Sequence, residues 1–225
     1  MNALHAFLKG SGTTLAVCVL LAGCASGPPV PQWQLEAKSS MERSVTAYLE
    51  GNARVEQAEL TRARGQLSRS GRADLLANAE LLHCASRVAS LVFEPCAGFE
   101  VLREDATEPA RAYATYLRGN VSPQAIALLP EAQRGAAAGD VSALPRIADP
   151  LSRLVAAGVL FQTGKADPGV IREAIDTASA QGWRRPLLAW LGVQLKRAEQ
   201  GGNTQEAERL RRRIAITQDP AASRP

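Results

Sequence analysis

Residues 73–92 read ADLLANAELLHCASRVASLV. Leu75, Leu76, Ala79, Leu82, Val88, Ala89 and Val92 recur at the three- and four-residue steps that place side chains on one side of an α-helix. Asp74 stands near the start, where helices favour a carboxylate. No part of the stretch alternates with period two, as a half-buried strand would.

The same spacing extends outward in both directions. Residues 33–49 carry Leu35, Met41, Val45, Tyr48 and Leu49 on one stripe, ended by Gly51-Asn52. Residues 54–67 carry Val55, Leu60, Ala63 and Leu67, and SRSGR (68–72) breaks them. Residues 109–118 hold Tyr113, Tyr116 and Leu117, and Ser122-Pro123 supplies a cap and first-turn proline for a further short helix. Helices are then expected at 151–161, 168–180, 186–199 and 204–216, separated by Gly164, Gly182 and Gly201-Gly202. Alanine, leucine and arginine dominate, and aromatics make up only 4% of the chain, a balance that favours helix over strand. The fold class expected is all-α.

The helix ends recur at intervals. AYLEGN (47–52) returns as TYLRGN (115–120), an offset of 68, twice 34. Gly158 and Gly192 are 34 apart, as are Phe161 and Leu195. Thirty-four residues is the tetratricopeptide period. Trp190-Leu191-Gly192 resembles the start of that repeat's signature, with Leu195 at its usual aromatic place and Ala207 in its second helix. The resemblance implies a helix-turn-helix array, a degenerate tetratricopeptide-like α-solenoid, over 151–217; a different α-helical bundle is the alternative. Residues 33–133 would form an N-terminal helical lobe. Residues 134–150, RGAAAGDVSALPRIADP, read either as a hinge between lobes or as a loop with a short helical turn, and 218–225 as a disordered tail.

At the start of the chain, Lys9 precedes the apolar run LAVCVLL (15–21). That run is far shorter than the ~20 residues a membrane span needs and suits the h-region of a signal peptide. Leu21-Ala22-Gly23-Cys24 resembles the bacterial lipobox. The resemblance implies that 1–23 are removed and that Cys24 becomes an acylated amino terminus, carrying palmitate-type chains. Cys18 competes, but the residue before it, Val17, is branched and disfavoured at a cleavage position. Ala25 stands where an aspartate would be the usual inner-membrane retention signal, so sorting to the outer membrane is implied, with the folded part in the periplasm. Residues 24–32, with Pro28, Pro29 and Pro31, form a tether reaching roughly 25 Å at ~3.1 Å per residue.

With Cys18 lost and Cys24 acylated, Cys84 and Cys96 remain. An even pair in an oxidising compartment predicts a disulfide, worth about 3 kcal/mol by loop closure. A metal or redox site would need paired ligand spacing or Cys-x-x-Cys, and a lone Cys-x11-Cys beside His83 supplies neither. Free buried thiols are the remaining alternative.

No catalytic constellation, metal set or cofactor motif emerges. Glu36, Glu42, Glu56, Glu59 and Glu80 sit among charged neighbours on helices, where solvated faces are the default. After signal removal the only histidine is His83, expected as a partly buried packing residue. Some lytic transglycosylases contain helical arrays, but no lysozyme-like catalytic domain stands beside these helices. Two features suit binding. Arg209, Arg211, Arg212 and Arg213, with Arg184 and Arg185, either complement helix dipoles in solvent or dock an anionic surface. Trp183, Trp190, Tyr113 and Tyr116 either pack between helices or line a groove. The net charge of +4 suits acidic partners, but an exported, anchored chain does not meet nucleic acid routinely. The whole resembles small outer-membrane lipoproteins with tetratricopeptide-like helices. That implies a non-enzymatic, membrane-tethered scaffold or adaptor for an unidentified envelope protein; the alternative is a periplasmic binding module for peptidoglycan or lipopolysaccharide.

Overall fold

A computed structural model describes residues 30–218, and every regular element in that span is helical. The signal segment 1–23, the tether as far as residue 29 including Cys24, and residues 219–225 lie outside the described residues, and the last residue expected in the tether, Gln32, begins the first helix. The chain opens with α1 (Gln32–Glu50), α2 (Ala53–Arg69) and α3 (Ala73–Ala89). A single turn, α4 (Ala97–Glu100), precedes α5 (Glu108–Leu117), a 3-10 helix at Pro123–Leu128 and α6 (Glu131–Ala137). After a second 3-10 helix, Val141–Arg146, come α7 (Pro150–Gln162), α8 (Pro168–Ala180), α9 (Arg184–Gln200) and α10 (Thr204–Gln218). α10 thus takes in the first residue of the expected tail.

Local chemistry sets these boundaries. The side chains of Asn52, Thr107, Asp149 and Asp167 each accept a first-turn backbone N–H, and α5, α7 and α8 carry proline in that first turn. Such caps satisfy donors that have no partner inside the helix. The repeated hexapeptide is a repeated stop. Gly51 (φ +87°) and Gly119 (φ +74°) take the left-handed conformation, and Asn52 and Asn120 donate back to the Ala47 and Thr115 carbonyls. In both copies the tyrosine three residues before the glycine, Tyr48 or Tyr116, is fully buried. α3 ends the same way, with Val92 donating to the Arg87 carbonyl, but here Leu91 (φ +59°) occupies the glycine position. A leucine there costs roughly 1–2 kcal/mol of backbone strain. Its side chain packs against the core, which offsets that cost.

The core has two parts. The smaller joins Met41, Val45, Tyr48 and Leu49 of α1 to Leu60, Ala63 and Leu67 of α2 and Ala79 of α3. The larger runs from α3 to α10 and includes Phe99, Tyr116, Leu154, Leu160, Trp190 and Leu191. Residues 134–150, expected as a hinge or as a loop with a short helical turn, hold the end of α6 and a 3-10 helix, with Leu144 and Ile147 buried in this same larger core.

α7 and α9 begin 34 residues apart, and α7 through α10 pack successively as antiparallel hairpins. α7 also packs on α3, and α9 on α1, contacts that the local repeat spacing does not announce. Gly158 permits the first of these: a Cβ there would strike the Val88 carbonyl. Gly192, its counterpart at the 34-residue offset, is exposed, and a Cβ there would meet open space. Trp190 seals the junction. It is fully buried, donates through Nε1 to the Ala89 carbonyl at 3.1 Å, and meets the Phe161 ring edge-on at 5.7 Å. Cys84 on α3 and Cys96 just before α4 lie at disulfide distance, their Cα atoms 5.8 Å apart. Among the described residues no helix is long and apolar enough to cross a membrane.

Candidate functional site

The arginines of α10 lie mid-helix, with none in the last turn where the dipole reading expected them, and they are largely self-neutralised. Arg209 pairs with Glu206 at 2.8 Å, Arg211 with Glu199 at 2.6 Å, and Arg211 and Arg212 both face Glu208. Arg213 donates to the Ser179 hydroxyl at 3.2 Å. Arg184 and Arg185 belong elsewhere. The Arg184 guanidinium lies against Gly51 at the end of α1, and that of Arg185 stacks 4.3 Å from the centroid of the Tyr48 ring. Arg87 approaches the same ring at 4.8 Å. These half-buried cations bind α9 and α3 to the buried aromatic of α1.

Of the four aromatics, Trp183, Trp190 and Tyr116 pack between helices, and Tyr113 is half-buried at the edge of a surface cleft. Trp190 is internal, and Trp183 packs against both parts of the core. Tyr116 donates its hydroxyl to Gln133 Oε1 at 2.7 Å, and Gln133 Nε2 donates to the Ser152 carbonyl at 3.0 Å. Burial pushes the phenols of Tyr113 and Tyr116 well above their ordinary range.

Three glutamates expected on solvated faces are buried instead. Glu56, Glu59 and Glu80 are all under 10% exposed. Each meets an arginine from another helix: Glu56 with Arg87 at 2.9 Å, Glu59 with Arg43 at 2.8 Å, and Glu80 with Arg64 through two bonds of 2.6 and 2.7 Å. Glu59 also holds Arg62 at 2.7 Å, and its hydrogen bond from Arg43 lowers its pKa. The partners lie 16 to 31 residues away in sequence, so a search for pairs within one helix misses them. Glu36 and Glu42 remain exposed, as expected.

His83 joins this layer. Arg87 Nη2 donates to Glu56 Oε1 at 2.9 Å and lies 3.0 Å from His83 Nε2, which accepts from it when the imidazole is neutral and bare at that nitrogen. Glu56 Oε1 stands 3.4 Å from the same nitrogen. Burial first, then the Arg87 charge, hold the His83 pKa below its ordinary value, although Glu56 and Glu80 oppose them. A cleft of about 360 Å³ opens here, with the Cys84–Cys96 pair on its wall among Arg64, His83, Arg87 and Arg118. Gly98 covers one side, and a Cβ there would strike the Glu80 carboxylate. The three arginines already face Glu80, Glu56 and Glu100. Among the described residues no cluster of three or more histidines, cysteines or acids converges as for a metal ion.

A second cleft, about 490 Å³, lies between α3 and α5 and is closed by residues 128–130. Leu81, Leu82, Ala110, Tyr113, Leu128 and Leu129 line it, with Asn78 and Thr107 as its polar members. Sequence reasoning named only Tyr113 here as a binding residue. Leu128 and Leu129 come from a segment whose position is set by the Ser122 cap and Pro123, which turn the chain back toward α3. Comparison with family models, with curated proteins and with solved structures finds no match for this chain.

Proposed function

We propose that this chain is a lipid-anchored bacterial envelope protein that works as a non-enzymatic scaffold or adaptor. Cys24 would carry the acyl chains at the outer membrane, with the helical array in the periplasm. The observation that carries the scaffold reading is the apolar cleft between α3 and α5. Its aliphatic and aromatic lining suits the apolar side chains of a protein segment laid into a groove. The lipobox-like Leu21-Ala22-Gly23-Cys24 supports the anchored half of the reading. Capture of a peptidoglycan or lipopolysaccharide anion by α10 is less well supported, since Arg209, Arg211 and Arg212 already face carboxylates.

The test is crosslinking of a C-terminally tagged copy in intact cells, followed by mass spectrometry, for the natural chain and for Asn78→Arg. Asn78 is exposed on the cleft rim, so the longer, charged side chain obstructs the groove without entering the core. The expected result is one stoichiometric envelope protein with the natural chain and its loss with the variant, which keeps its helical circular dichroism. A partner retained by Asn78→Arg, or envelope proteins recovered only in bulk proportions, would refute the scaffold reading.

A further inference from the structure

Cys84 and Cys96 stand at disulfide distance, and both line the cleft beside His83. Cys84 is half-buried and Cys96 buried, so Cys84 is the more accessible of the two from the cleft. The chain that leads from α3 to Cys96 and α4 forms a strap across the surface. Its near end is fixed where the Val92 N–H bonds the Arg87 carbonyl, and its far end where Phe99 enters the core.

Little besides the cysteine pair holds the strap between those two points. Phe93, Glu94, Pro95 and Ala97 are exposed. The backbone N–H groups of Phe93, Glu94 and Cys96 meet no backbone acceptor among the described residues. The Phe93 ring stacks 6.5 Å from that of Phe161. Segments with so few buried contacts and unbonded backbone open at low free-energy cost.

The strap covers charge. Glu80, one turn before Cys84 on α3, is buried against Arg64, and Gly98 lies so close over its carboxylate that a Cβ would strike it. Cys96 Sγ sits 3.6 Å from the Glu80 carbonyl. Burial takes both charges of the pair out of water, and their attraction offsets that cost only in part. Lifting the strap returns water to the pair, so the surface beneath does not by itself hold residues 93–98 down.

We infer that the Cys84–Cys96 bond is a reducible latch, opened by a dithiol through attack at Cys84, and that its opening uncovers Glu80. A thiolate of the dithiol bonds to Cys84 Sγ as the S–S bond breaks, and the electron pair leaves on Cys96 Sγ, which takes a proton. The second thiol, deprotonated, then displaces Cys84, which leaves as a thiolate and is protonated in turn. The protein gains two electrons and two protons, and the dithiol departs as its own disulfide. This goes beyond the scaffold reading, since it requires neither an anchor nor an occupant of the cleft between α3 and α5.

The test footprints carboxylates of the full chain with a carbodiimide and glycine ethyl ester, read by mass spectrometry. Labelling is compared before and after treatment with millimolar dithiothreitol and alkylation of the freed thiols. Glu59, buried on α2 against Arg43 and outside the cleft lining, reports any general loosening. Reduction without denaturant should raise labelling of Glu80 roughly fivefold or more and leave Glu59 protected. Cys84→Ser with Cys96→Ser opens the latch without alkyl bulk and should give the same pattern, with its helical circular dichroism kept. Cys84 and Cys96 thiols already free in chain purified in air, a bond that yields to dithiothreitol only after unfolding, or a Glu80 as protected after reduction as before would each overturn the latch. Equal rises at Glu80 and Glu59 would overturn it too, and would mark the bond as a staple of the whole fold.

Discussion

Between α1, α2 and α3, three glutamates are buried, each against an arginine from a neighbouring helix. Between α3, α7 and α9, contact is made by Val88, Gly158, Phe161 and Trp190, with a single hydrogen bond from the indole to a backbone carbonyl. The two regions meet on α3, whose one side is charged and whose other is apolar. The difference concerns what each contact tolerates. Apolar packing stabilises in proportion to the area it removes from water and weakens with any lost volume. A buried ion pair contributes little net stability, because desolvation cancels most of the attraction, yet losing one partner strands the other charge.

The largest expected effect is on the apolar side. Trp190→Ala removes the largest fully buried side chain and the bond to the Ala89 carbonyl. It should cost about 3–5 kcal/mol, read as a fall in the denaturation midpoint followed by circular dichroism. The loss should extend to the whole array, since α3 and α9 share this contact. A cost below about 1 kcal/mol would mean that α9 is not held on α3 in solution.

The charged side predicts a different pattern, a smaller loss that a second substitution repairs. Arg64→Met leaves the Glu80 carboxylate buried without its two bonds. The expected cost is about 2 kcal/mol, less than the 3–5 kcal/mol for a fully buried pair because the Arg64 side chain is 39% exposed and water reaches it. Arg64→Met with Glu80→Met should recover at least half of that loss. If the double variant is less stable than the single one, the ion pair is a net stabilising contact and the contrast between the two regions disappears.

Much of the apolar framework is legible in the sequence, because it is written in local spacing. The expected helices at 33–49, 54–67, 109–118 and 168–180 match observed elements within one or two residues, since Asn52, Thr107 and Asp167 cap where the chain turns. The recurring YLxGN stop also returns as geometry, with Gly51 and Gly119 in matching conformations. α6 is not read in advance, for its small residues resemble loop composition, while the 3-10 helix at Val141–Arg146 fits the alternative of a loop with a short helical turn. The charged layer is hidden for another reason. Glu56, Glu59 and Glu80 have charged neighbours on their own helices, but the arginines that permit their burial come from other helices. The cleft between α3 and α5 is equally non-local, since Leu82 and Leu129 come together only when the segment after Pro123 folds back.

The smallest expected effect separates the regions by pH. Burial and the Arg87 charge favour neutral His83 in the fold, where it faces Glu56 and Arg64 of α2 as well as Glu80 and Arg87 of its own helix. Because its folded pKa lies below the unfolded value of 6.5, it favours the fold fully above that pH. The contribution is lost as pH falls below 6.5 through the lower folded value, since folding must then expel a proton or bury a second cation beside Arg87. Trp190, Phe161 and Val88 do not titrate in this range, so the apolar junction adds nothing to the slope. His83→Gln keeps an acceptor for Arg87 but cannot gain the proton. Its denaturation midpoint should therefore fall less steeply than that of the natural chain between pH 6.5 and the onset of carboxylate titration. Parallel profiles for the two chains would mean that His83 takes up its proton as readily in the fold as in the unfolded chain, and that neither burial nor Arg87 holds it neutral.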